Sequence, residues 1–173
     1  MTHKIGIPEG LIIAGSVVFI AVLFVSAVFE ADIRWLHFFQ AWLYIATVVL
    51  AVRRNRWGYF IGISVAGLWD YTNLFVTSFL AGGVQYLVKW IQTGQLSHPD
   101  QLFSIPAWLG NLAVIVGCAW AYRRWVMDRH GDVARFTVAF VGSTAFFALA
   151  MVLFQPRYLA LFPKMLHPHL PFQ

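Results

Sequence analysis

Long apolar runs constrain this chain more than any other feature. The first, LIIAGSVVFIAVLFVSAVF, covers residues 11–29 without a single charged side chain. A helix that crosses a bilayer needs about 20 predominantly apolar residues. Only 11% of the 173 residues are charged, whereas about 25% is usual for a soluble domain. We therefore expect an all-α integral membrane protein, with residues 1–173 forming a single polytopic domain whose main partner is the lipid bilayer.

Apolar runs also predict how often the chain crosses the bilayer. The first run is longer than the apolar core of a removable signal peptide, so we expect it to remain as a span. Gly82-Gly83 divides the third apolar region, and residues 84–91, VQYLVKWI, are expected to form a short interfacial helix because Tyr, Lys and Trp favour that depth. The tail, 155–173, is predicted to be interfacial and irregular. The five predicted spans are 11–29, 36–52, 58–81, 102–122 and 136–154.

The distribution of positive charge predicts the orientation of this bundle. With five spans, eight of the 12 Lys and Arg residues fall on one side of the membrane. The positive-inside rule then places the N-terminus in the cytoplasm and the C-terminus on the outer side. Because the Arg-rich runs flank spans, we expect them to determine topology and to contact anionic lipid, and we expect no nucleic-acid partner. The eight residues are Lys4, Arg53, Arg54, Arg56, Arg123, Arg124, Arg129 and Arg135.

Asp70 is the one acidic residue predicted to lie deep in a span. Burying an acidic group at that depth costs about 2.5–3.5 kcal/mol on insertion scales, so such residues usually face a bundle interior or a cavity. Gly67, Asp70, Asn73 and Thr77 recur at helical spacing and therefore share a face. The stretch GLWDYTNLF that contains them predicts a polar site within the membrane.

The second predicted span carries a matching polar stripe. His37, Gln40, Tyr44 and Thr47 are spaced by three or four residues, so they also share one helix face. A bundle with both faces turned inward has a polar interior centred on Asp70. The residues predicted to form a ligand or proton pathway are Asp70, Asn73, Thr77, His37, Gln40, Tyr44 and Trp69.

Two functions fit this pattern. The first is translocation of a small solute or of protons, with Asp70 as the titrating or ligand-binding group. The alternative is a non-catalytic accessory or assembly subunit of a larger membrane complex, or a homo-oligomer, in which the Asp70 face meets another subunit. A hydrogen-bonded clasp between Asp70 and Gln40 or Tyr44 is a purely structural interpretation. Interhelical polar contacts in membranes average only about 0.6 kcal/mol, so a clasp would barely offset the insertion cost.

Catalytic and metal-binding signatures are weak. The single cysteine, Cys118, excludes an internal disulfide, and no Ser–His pair, carboxylate dyad, phosphate loop or HExxH motif is present. We therefore predict no catalytic residues, and the sequence indicates no particular cofactor. A metal site is not favoured, because the HPH motif lacks an established ligand spacing. The residues that would form such a site on the outer side are His98, Asp100, His167 and His169.

Overall fold

The computed structural model describes residues 4–96 and 99–165, and within these ranges the chain is helical, without strands. The all-α prediction is confirmed. Three short 3-10 turns connect the longer elements, at Ala31–Ile33, Pro99–Phe103 and Pro156–Ala160. The helices are α1 (Ile7–Phe29), α2 (Arg34–Val52), α3 (Arg56–Phe75), α4 (Phe79–Thr93), α5 (Ser104–Trp125), α6 (Asp132–Phe154) and α7 (Leu161–Met165).

Four of these helices are long and apolar enough to cross a membrane. They are α1, α6, and the helices α2 and α5, each together with the 3-10 turn before it. The α3–α4 pair passes the same test only as a unit bent by 64° at a short break, and it brings the number to five. The predicted number of spans therefore agrees with four to five helices of spanning length.

The break in the third apolar region lies at residues 76–78, and the prediction that Gly82-Gly83 would divide it is wrong. Ser78 adopts a left-handed conformation with φ 54°, and the Thr77 hydroxyl accepts a hydrogen bond from the Phe79 amide. Both glycines lie inside α4. A Cβ atom at Gly83 would collide with Ser104, so this glycine serves the close packing of α4 on the start of α5.

Small residues bring the central helices close together. A Cβ atom at Gly15 of α1 would run into the Gly110 carbonyl of α5, and one at Gly62 of α3 would meet the Cys118 sulfur and Thr47. Contacts of this kind let helix backbones approach closely. The core therefore forms around α1, α3 and α5. Cys118 is a free, buried thiol within it.

Ion pairs distinguish the two ends of the bundle. Arg56, in the first turn of α3, lies 2.8 Å from Asp132 at the start of α6, so the Arg-rich α2–α3 and α5–α6 connections share one end. At the opposite end, Arg157 lies 2.6 Å from Asp32, which precedes α2. The two Arg-rich connections thus lie at the same end of the bundle, as the charge argument requires.

Candidate functional site

A buried polar cluster joins three helices at Asp70. The Asp70 side chain is 6% exposed, and its Oδ1 accepts a hydrogen bond from Asn111 Nδ2 of α5 at 3.3 Å. Asn111 Oδ1 accepts in turn from the Tyr44 hydroxyl of α2 at 2.7 Å. Asp70 Oδ2 is buried and has no hydrogen-bond partner in the described part of the chain. Asp70 Oδ2 can therefore still accept a hydrogen bond or a proton.

The arrangement differs from the clasp between Asp70 and Gln40 or Tyr44 that the structural interpretation invoked. Asp70 pairs with Asn111, and Tyr44 reaches it only through that amide. The Gln40 side chain, 6% exposed, bonds to none of the described residues and lines a cavity instead. The cause is the position of α5, which contributes Asn111 to the interior between α2 and α3.

The cavity has a volume of about 400 Å³ and lies at the end of the bundle opposite the Arg-rich connections. It reaches from exposed residues such as Glu30 and Thr77 to the buried side chains of Phe19 and Gln40. Small-molecule sites in proteins have volumes of about 300–1,000 Å³ and mostly apolar walls. The cavity is therefore large enough for one small ligand.

Five of the seven predicted site residues line this cavity, and two do not. His37, Gln40, Trp69, Asn73 and Thr77 line it, whereas Asp70 and Tyr44 lie outside the lining. The structure thus divides the predicted site into a cavity and a buried cluster.

Phe19 connects these two parts. Its ring lines the cavity, stacks on the Tyr44 ring with centroids 4.4 Å apart, and meets Trp69 edge-on at 5.2 Å. Tyr44 is fully buried behind it. Phe19 and Trp69 therefore form the inner wall of the cavity next to the Asp70 cluster. Nothing in the apolar run that contains Phe19 distinguishes this residue from its neighbours.

Local hydrogen bonds orient the polar lining. His37 Nδ1 lies 2.8 Å from the Leu23 carbonyl, so this nitrogen carries the proton and donates across α1 and α2. Asn73 Nδ2 donates to the Trp69 carbonyl at 2.9 Å, and the Thr77 hydroxyl donates to Asn73 Oδ1 at 3.3 Å. These bonds fix the side chains against the cavity wall.

Two carboxylates at the mouth of the cavity were not among the predicted pathway residues. Glu30 and Asp100 both line it, and neither forms an ion pair with a described residue. The Phe29 and Phe103 rings, 5.5 Å apart, hold these neighbouring positions together. Their placement after α1 and before α5, at the same end of two adjacent helices, is the sequence signal that could have indicated this mouth.

No group of three or more metal-ligating side chains occurs within residues 4–96 and 99–165. Asp100 faces the cavity. The other three candidate metal ligands, His98, His167 and His169, lie outside the described residues.

Comparison with protein-family models, with curated proteins and with solved structures gives no match. The geometry of the cavity and the cluster is therefore the basis for assigning a function.

Proposed function

We propose that this chain is a multi-pass membrane protein that translocates protons or a small solute along a path between the cavity and Asp70. The observation that carries the proposal is the contact between the two parts of the site. Phe19, at the inner wall of the cavity, stacks on Tyr44, which hydrogen-bonds through Asn111 to Asp70. A rotation of one aromatic side chain would open the cavity to the cluster.

The incomplete bonding of Asp70 supports a functional role. In a purely structural contact we expect every buried polar atom to be hydrogen-bonded, because an unsatisfied one costs about 1–3 kcal/mol. Asp70 Oδ2 is buried and lacks a partner within the described chain. Ionisable residues at membrane depth mark substrate paths and proton relays. An oxygen held without a partner is available to a proton or to a ligand.

The charge distribution supports an orientation for this path. The Arg-rich connections share one end of the bundle, and the positive-inside rule assigns that end to the cytoplasm. The cavity then opens toward the outer side, and a solute enters it from outside the cell or organelle.

Proton flux into reconstituted vesicles tests the proposal. The full-length chain is incorporated into vesicles that contain a pH-sensitive dye, and a potassium gradient with valinomycin supplies the driving potential. We expect wild-type flux above that of empty vesicles and flux at the empty-vesicle level for Asp70→Asn. Asp128→Asn is the matched control, since Asp128 is an exposed carboxylate in the α5–α6 connection. Equal flux in wild type and Asp70→Asn contradicts a proton path through Asp70.

The same preparation decides the alternative of an accessory subunit. Gentle detergent extraction followed by native mass measurement gives a monomer or a homo-oligomer if the protein works alone. Different proteins that co-purify in a fixed ratio, combined with the absence of flux, favour the subunit function.

A further inference from the structure

We propose that the cavity binds an organic ammonium cation with an apolar body. This inference rests on the proposed function for the embedding of the bundle in a membrane, and it names the chemical class of the ligand. The observations that support it are the charge of the mouth, the aromatic walls and the free amide at the inner end.

The charged lining of the mouth is acidic. Glu30 and Asp100 line it, and no described Lys or Arg belongs to the lining. Arg157 exerts its charge on Glu30 from a distance, but its guanidinium is paired with Asp32 at 2.6 Å. Two carboxylates that form no ion pair within residues 4–96 and 99–165 lie beside a low-dielectric cavity, and their negative potential concentrates cations. An anionic ligand is disfavoured for the same reason.

Aromatic rings form much of the wall. Phe29 and Phe103 flank the carboxylates, and Phe19, Trp69 and Phe147 also line the cavity. Tyr158 lines it as well, but its ring already carries the Arg157 guanidinium at 4.9 Å. The faces of such rings attract ammonium groups by about 0.5–2 kcal/mol each, most strongly where water is excluded. The rings also provide the apolar surface that the body of the ligand requires.

Gln40 supplies a polar anchor at the inner end. Its side chain is more than nine-tenths buried, lines the cavity and has no hydrogen-bond partner in residues 4–96 and 99–165. Its amide nitrogen and oxygen are not fully enclosed by the protein, so they remain accessible from the cavity. A hydroxyl or carbonyl group on the ligand can hydrogen-bond to them.

Calorimetric titration of the full-length protein in nanodiscs tests the inference with three probes of similar size. The probes are phenyltrimethylammonium, benzyl alcohol and benzenesulfonate, each corrected for binding to empty nanodiscs. We expect the cation to bind about tenfold more tightly than the neutral probe, and the anion not to bind. Higher ionic strength should weaken cation binding only.

Matched variants locate the site. Combined Glu30→Gln and Asp100→Asn should reduce cation affinity severalfold and leave benzyl alcohol unaffected. Thr144→Phe should abolish binding of both, because Thr144 lines the cavity. Thr137→Phe is its control, since Thr137 is exposed on the same helix and makes the same hydrogen bond to the carbonyl four residues earlier. Circular dichroism confirms that each variant is folded.

Several outcomes overturn the inference. These are equal binding of cation and neutral probe, preference for the anion, no binding of any probe by the wild type, or cation affinity that survives both carboxylate changes. The flux assay separates this result from the proposed function. If flux depends on Asp70 but no cation binds, the proposed function is supported and the ligand class is wrong. If the cation binds but there is no flux, the ligand class is supported and the proposed function is wrong.

Discussion

Asn111 Nδ2 donates to Asp70 Oδ1 at 3.3 Å while Asn111 Oδ1 accepts from the Tyr44 hydroxyl, so a single amide connects α2, α3 and α5. All three side chains are buried. Because the amide serves as donor to one partner and acceptor from the other, no apolar residue can replace it without leaving both partners unpaired.

Asn111→Leu should therefore destabilise the fold. The Tyr44 hydroxyl and both oxygens of Asp70 would be left without partners, and a buried unpaired polar group costs about 1–3 kcal/mol. We expect a lower melting temperature in detergent and restored stability when Asp70→Leu is added, because the second change removes one orphaned group. A double-mutant cycle in which the two effects simply add contradicts this coupling.

Glycine substitutions test the close packing of α1 on α5. Gly15→Ala should destabilise by about 1–3 kcal/mol, because its methyl group would run into the Gly110 carbonyl and Ala113. Gly67→Ala is the matched control. It lies in α3 with no atom within 4 Å of a new Cβ, so it should gain roughly 0.5–1 kcal/mol of helix stability. Chemical or thermal unfolding of both variants in the same detergent provides the comparison, and equal effects argue against this packing.

Single cysteines introduced in a Cys118→Ala background test the topology. Asn55 and His130 are exposed at the Arg-rich end, whereas Ala31 and Gln95 are exposed in the α1–α2 connection and after α4. We expect an impermeant maleimide to label positions 55 and 130 from one side of the membrane and positions 31 and 95 from the other. Labelling of 55 and 130 from opposite sides is incompatible with this bundle.

Asp132 should stabilise the contacts among helices at the Arg-rich end more than any other residue there. It accepts from Arg56 at 2.8 Å, from Arg135 at 2.9 Å and from the Tyr122 hydroxyl at 2.8 Å, which joins α3, α5 and α6. Asp132→Ala should lower the melting temperature and reduce its dependence on salt concentration. Asp128→Ala, a change to an exposed carboxylate in the same connection, should have little effect.

The sequence predicted the helices more completely than it predicted their contacts. Apolar runs mark α1, α2, α5 and α6 because each run is close to the length that crossing a bilayer would require. The break at 76–78 escaped prediction, since Ser78 adopts a left-handed backbone that glycine would have indicated and serine does not.

Helix rotation limited the prediction of the site. Helical spacing places Asp70 and Asn73 on one face, but the cavity and the cluster lie on either side of that face. Asn73 lines the cavity, whereas Asp70 turns toward Asn111. The partner of Asp70 depends on how α5 is seated against α1 through Gly15 and Gly110. The packing of α5 on α1 is a tertiary contact, and residue spacing within a single helix cannot predict it.

Substitutions of Asp70 separate the functional role from the structural one. Asp70→Asn keeps the size of the side chain and still accepts from Asn111, so insertion, expression and melting temperature should stay close to those of the wild type. Flux should be lost together with its pH dependence, because the amide cannot ionise. If Asp70 is instead a clasp or a subunit contact, assembly should survive Asp70→Asn and fail with Asp70→Leu, which leaves Asn111 unpaired. Full stability and full activity in Asp70→Leu would refute both roles.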